Sequence, residues 1–206
     1  MWPMRHVCSL LLLVVVPAKA PAQSAAHDSV VYDLVPASRL DVRIGKAGLL
    51  GFAGHEHLIR ARSFSGRIVF YPDHLTASHV TVSVPTESLE VLTPPDTAEI
   101  RKVTVAMRED VLDVAQFPEI TLNGRAVDRA GDTVRVDAAL TMKGQSRDVR
   151  LIVRADLGAD TVRAITTFTV KQTDFGIRPY RGGPGGTVRV ADRVTFVIEA
   201  VAVRRP

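Results

Sequence analysis

The chain has 206 residues, with 26 Lys and Arg against 22 Asp and Glu, a formal net charge of +4, one cysteine and one tryptophan. A single cysteine excludes a disulfide framework, and the scattered basic residues (Arg43, Arg60, Arg67, Arg135, Arg150, Arg154, Arg163) do not form the clustered, aromatic-interleaved patch that nucleic acid requires. An aromatic content of only 5%, with abundant valine, suits a β protein lined by aliphatic side chains.

Residues 1–22 read as a cleaved export signal. Arg5 and His6 give a positive start, and Leu10 to Val16 is an apolar run too short to span a bilayer. Ala20-Pro21-Ala22 then places small residues where a signal peptidase cuts, after Ala22. Cys8 precedes the apolar run, whereas a lipoprotein cysteine would follow it. Cleavage removes Arg5 and Lys19, the cysteine and the tryptophan, leaving 24 basic and 22 acidic residues and a net charge of +2. Export without disulfides suits a bacterial periplasm, with secretion as the alternative, and a core that needs no covalent staple. No linker or internal repeat divides residues 23–206, so one domain is expected.

Period-two alternation predicts strands. Leu40, Val42 and Ile44 define the first. Phe64, Ile68 and Phe70 define the second, closed by Tyr71-Pro72-Asp73. Ile59 and Ala61 carry the opposite phase, so a bulge or sharp bend is expected across Ser63 to Gly66. Val80, Val82 and Val84 form the third. From Asp96 to Leu112 the period changes: Ile100, Val103, Met107 and Val111 lie three or four apart, one stripe of an amphipathic helix. Ile120, Leu122 and Ala126 then form a fourth strand, and Asp128 to Asp132 reads as a turn. Val134 to Met142, Val149 to Ala155, Val162 to Val170 and Val194 to Ala200 supply strands five to eight.

The class is therefore all-β. Eight short antiparallel strands favour a barrel, which removes exposed sheet edges, over a sandwich or jelly roll. A lone helix is expected to pack on the barrel and close its mouth. An eight-stranded barrel is either filled by side chains or holds one small ligand, and spacing leaves both open.

Four blocks carry a family resemblance. They are Tyr32-Asp33-Leu34 with Ser38-Arg39-Leu40; Ser63 to Pro72, close to a Phe-x-Gly-x-Ile-x-Phe pattern; Met107 to Ile120; and Ala139 to Arg147, followed by Thr173-Asp174-Phe175-Gly176-Ile177. Their order and spacing resemble the YceI-like family, the bacterial polyisoprenoid-binding, lipocalin-like group, over essentially all of 23–206. The resemblance implies an extended eight-stranded antiparallel barrel with a packed helix, and an apolar tunnel for a polyisoprenoid or an isoprenoid-tailed quinone. It implies no other cofactor. Val111-Leu112 stands where many members carry two aromatics, which implies a wider or differently shaped tunnel. Gly54-His55-Glu56-His57 and the Gly/Pro-rich Arg178 to Gly186 also depart from the common pattern.

On this reading the tunnel wall comprises Phe64, Ile68, Phe70, Met107, Val111, Leu112, Leu140, Met142, Phe168 and Phe196. His55, His57, Arg178, Tyr180 and Arg181 are candidates for the mouth or the ligand head group, where loop N–H groups suit an anion such as a diphosphate. His55 and His57 share one face of a strand, so a metal site or metal-dependent enzyme is the alternative, with a third ligand from His74, His79 or a carboxylate. The plainer reading is that these imidazoles hydrogen-bond at the barrel mouth. A solid-core interaction module is a third reading. No Gly-x-Ser-x-Gly elbow and no phosphate loop is present, so no catalytic residue is expected. The expected partner is an apolar lipid, with contact to a membrane surface and a homodimer compatible with the sequence, and no nucleic acid.

Overall fold

The computed structural model describes residues 28–47, 56–93, 97–182 and 188–206. The export signal and His55 lie outside these.

The strands are β1 (Val30–Leu34), β2 (Arg39–Ala47), β3 (His57–Ala61), β4 (Ser65–Phe70), β5 (His79–Pro85) and β6 (Leu89–Val91). After the helix α1 (Thr97–Ala106) come β7 (Glu119–Ala130), β8 (Thr133–Met142), β9 (Gln145–Leu157), β10 (Thr161–Lys171), β11 (Arg181–Gly182) and β12 (Val188–Arg204). All pair antiparallel. The order β1-β4-β5-β7-β8-β9-β10-β12 closes on itself where Tyr32 of β1 meets Arg204 of β12. This is the expected eight-stranded barrel.

Three of its strands are bent at one level. β2, β3 and β6 continue the paths of β1, β4 and β5: β2 stays beside β12, and β3 lies between β2 and β6. The breaks fall at 35–38, 62–64 and 86–88. The second of these is the phase slip read from Ile59 and Ala61 against Phe64. A bend interrupts the ladder, and its backbone groups need other partners. Hydroxyl side chains supply them. Ser38 Oγ donates to Val201 O at 3.0 Å and accepts from Val201 N at 2.9 Å. Ser88 Oγ donates to Ser63 O at 3.0 Å, and Thr86 Oγ1 donates to Phe117 O at 2.9 Å.

The turns match their residues. Lys143 and Gly144 join β8 to β9 with φ of 47° and 70°, the two-residue turn whose twist suits a hairpin. A Cβ at Gly144 would stand 2.9 Å from the Phe117 ring, so glycine is required twice over. The turn expected over Asp128 to Asp132 is narrower. β7 runs on to Ala130, its register shifted between Ala126 and Asp128, and only Gly131 and Asp132 turn.

α1 is shorter than its periodicity. The regular helix ends at Ala106, and Met107–Val111 continues as one wide π turn. Leu112 N donates to Met107 O and Val114 N to Arg108 O, and Asp113 takes a left-handed conformation at φ 51°. Lys143 Nζ donates to Val111 O at 2.9 Å, satisfying a carbonyl the helix end leaves open. Met107 is buried, with Ile100, Val103 and Val111 packed on the same core as Leu89, Val91 and Ile59. The predicted stripe is therefore the face that closes this end of the barrel.

Candidate functional site: a hollow apolar barrel

Alternation decides which side chains point inward, but not whether they meet. Along β10, Val162, Ala164, Thr166, Phe168 and Val170 point inward, and all but Val162 stay half-buried. Val42, Ile44, Val82, Leu122 and Ile198 are likewise inward and half-buried. They border a cavity of about 290 Å³. An engineered cavity of about 150 Å³ already holds a benzene, so this volume exceeds a packing defect. The barrel is hollow.

The cavity is long. On β8 its wall runs from Val134 to Met142, about 27 Å of strand at ~3.3 Å per residue, or about 20 Å along the axis at the usual tilt. Met107, Val111, Leu112 and Ile177 close one end, and Leu75 and Leu157 reach the other. Leu75 belongs to the short 3₁₀ turn Leu75–Ala77, held by Ala126 N donating to Ser78 O at 3.0 Å. Phe168 and Phe196, paired in register, stack at 4.8 Å and form a flat section of wall. The few polar liners are largely engaged. Gln172 Nε2 donates to Ala191 O at 2.7 Å, and the Asp41 carboxylate accepts two bonds from Arg60, at 2.7 and 2.8 Å. That bond to Asp41 raises the Arg60 pKa.

Of the wall residues expected from sequence, Ile68, Phe70, Met107, Val111, Leu112, Leu140, Met142, Phe168 and Phe196 line the cavity. Phe64 packs on the core but is not part of this lining. The head-group candidates fall elsewhere. His57 sits at the start of β3 with Nδ1 3.1 Å from Thr93 O, a satisfied strand histidine. Arg178 and Arg181 are exposed and Tyr180 is half-buried, near the β11–β12 hairpin. None of these four lines the cavity. His79 pairs with Val69 near the far end of β4, almost the whole bent strand away from His57. It cannot share a metal with His57. Among the described residues no three His, Cys, Asp or Glu side chains form a metal site.

One feature of the wall has no counterpart in the sequence reading. β9 and β10 pair only from Leu157↔Val162 to Arg154↔Ile165. Beyond that point their backbones part, and a second cavity of about 350 Å³ lies between them. Arg147, Asp148 and Arg150 of β9, Thr169 of β10 and Asp174 border it, with Phe168 and Phe175.

The sequence profile of the YceI-like domain family matches residues 36–202. The chain belongs to the YceI-like family. Its barrels bind hydrophobic ligands. Among solved structures, BcnA of Burkholderia cenocepacia is similar at 17% identity and a TM-score of 0.64, covering 82% of this chain and 99% of that one. The YCEI protein of Campylobacter jejuni is similar at 15% identity and a TM-score of 0.55, covering 72% and 84%. At these identities the likeness is one of fold. No curated protein matches the sequence.

The family blocks explain the helix end. Lys143 of the fourth block holds the Val111 carbonyl of the third, and Gly144 makes room for Phe117. Phe175 and Ile177 of the last block are buried, with Gly176 turning between them at φ 68°. These residues build the barrel, whereas the wall facing the cavity is made of interchangeable aliphatics.

Proposed function

We propose that this YceI-like protein is an exported carrier that holds a long apolar chain, a polyisoprenoid or the tail of an isoprenoid quinone, inside its barrel in the periplasm. The observation that carries the reading is the combination of about 290 Å³ of space with an almost wholly apolar wall. At ~24 cal/mol per Å³ of void, leaving 290 Å³ unfilled forfeits roughly 7 kcal/mol, comparable with the whole stability of a domain. An apolar chain recovers that loss and gains about 0.8 kcal/mol per buried methylene. Length and flexibility of the ligand suit a narrow cavity about 20 Å long better than a compact ring system does. Export places such a carrier where a hydrocarbon must cross water between membranes.

The test is direct. Protein purified from a bacterial periplasm is extracted with organic solvent, and the extract is analysed by mass spectrometry. An isoprenoid near one per chain is the expected result. Ala164→Phe, which fills the wall facing the cavity, should lose the lipid and unfold at higher temperature than the delipidated parent. A barrel that purifies without lipid, and binds no isoprenoid alcohol when one is supplied, overturns the reading. The mass of the exported chain tests cleavage after Ala22.

A further inference from the structure

The gap between β9 and β10 is a built window rather than frayed sheet. Its lower lip is the last ladder pair, Arg154↔Ile165, reinforced by Thr166 Oγ1 donating to Ile152 O at 2.9 Å. Its upper edge is the 3₁₀ turn Gln172–Phe175, fixed from behind. Thr173 N and Oγ1 donate to the two oxygens of Asp192 at 3.0 and 2.9 Å, and Phe175 is 1% exposed. Between these edges the facing strands carry N–H and C=O groups that a ladder would have consumed.

The window also communicates with the barrel. Phe168 borders both cavities. Outside, Ile152 and Ile165 flank the lower lip at 58% and 54% exposure, two of the five large apolar side chains exposed among the described residues. An apolar chain entering sideways would meet apolar surface first, then Phe168, then the cavity.

We propose that this window is the head-group site: the tail lies in the barrel, passes beside Phe168, and an uncharged hydrogen-bonding head, a hydroxyl or a carbonyl, rests between β9 and β10. The inference rests on the apolar-chain reading above. The charge at the rim selects the head. Arg150 is engaged by Asp137 at 2.9 Å, which leaves Arg147 against Asp148 and Asp174, a net negative rim. A diphosphate is repelled there, whereas unpaired backbone groups and the Thr169 hydroxyl, 3.0 Å from Thr195 Oγ1, suit a neutral polar head.

The test compares geranylgeraniol, geranylgeranyl diphosphate and the headless hydrocarbon squalene as probes of the delipidated full-length mature protein at low salt. Geranylgeraniol should bind about fivefold to tenfold more tightly than the diphosphate. The double variant Asp148→Asn with Asp174→Asn should erase that preference while leaving squalene affinity unchanged. Both sites are exposed, so the fold should tolerate the exchange. As a second measurement, Arg150→Cys with Thr169→Cys, in a mature chain that has no other cysteine, should slow uptake and release of geranylgeraniol when oxidised and restore both on reduction. A preference for the alcohol that the Asn variant leaves untouched overturns the window alone, as does tighter binding of the diphosphate. Failure of all three probes to bind overturns the barrel reading and the window with it.

Discussion

β10 has two neighbours and is held by them unequally. Against β12 it pairs without interruption from Thr161 to Lys171, and the stacked Phe168 and Phe196 sit in the middle of that ladder. Against β9 it pairs only from Val162 to Ile165. Both sides alternate apolar and polar residues equally well. The difference lies in what happens beyond β10: the turn Gln172–Phe175 folds over towards the β9 side and inserts Phe175 where further pairing would run. A barrel wall can thus be continuous in its side-chain pattern and open in its backbone. Strength on one side and a window on the other give a rigid container with a lateral opening.

If Phe175 is what holds the window's upper edge, Phe175→Ala should cost about 3–5 kcal/mol in denaturant unfolding. It should also speed amide exchange along β9 from Asp148 to Ile152 more than along β12. Equal acceleration on both sides of β10 would break the comparison. Asp41→Ala strikes the well-paired side, leaving the half-buried Arg60 without its partner. A loss of about 2–4 kcal/mol is expected, with no change in exchange at β9. Thr166→Val removes only the bond that ends the short ladder. It should cost about 0.5–1 kcal/mol and lengthen the window, seen as faster exchange at Arg154 and Ile165.

The smallest effect concerns the seam that closes the barrel, β1 against β4 and β12. The hydrogen bond from Arg67, with the charges of Arg67 and Arg205 adding, holds the Asp33 carboxyl below its ordinary pKa. A depressed carboxylate pKa stabilises the fold at neutral pH, and that contribution is lost as pH falls through the acid range below the unfolded value. Asp33→Asn should flatten this part of the acid-unfolding curve while leaving stability at pH 7 little changed, because the pair is exposed.

Much of the fold was legible because it depends on local pattern. The strand set, the bend after Ala61 and the helical stripe all follow from where apolar residues recur. β1 and β6 were not recovered by alternation: Val30–Leu34 and Leu89–Val91 are too short, and each completes a strand begun elsewhere. The wall was legible for the same reason as the strands. The polar rim was not. Arg147, Asp148, Thr169 and Asp174 are ordinary outward residues of an alternating sequence or a turn, and only the parting of β9 from β10 brings them to one opening. His57 had seemed informative from its spacing with His55, yet spacing cannot say that Thr93 O lies within reach of its ring.

The sequence by itself determined an all-β chain, its inward and outward faces, and the helix that covers one end, because those are set by side-chain period within a segment. Tertiary structure decided that the barrel is hollow rather than filled and that its wall is open between β9 and β10. Both depend on distances between strands far apart in the chain, set by the closure of the whole ring, and the sequence of one strand does not record how far away its neighbour lies.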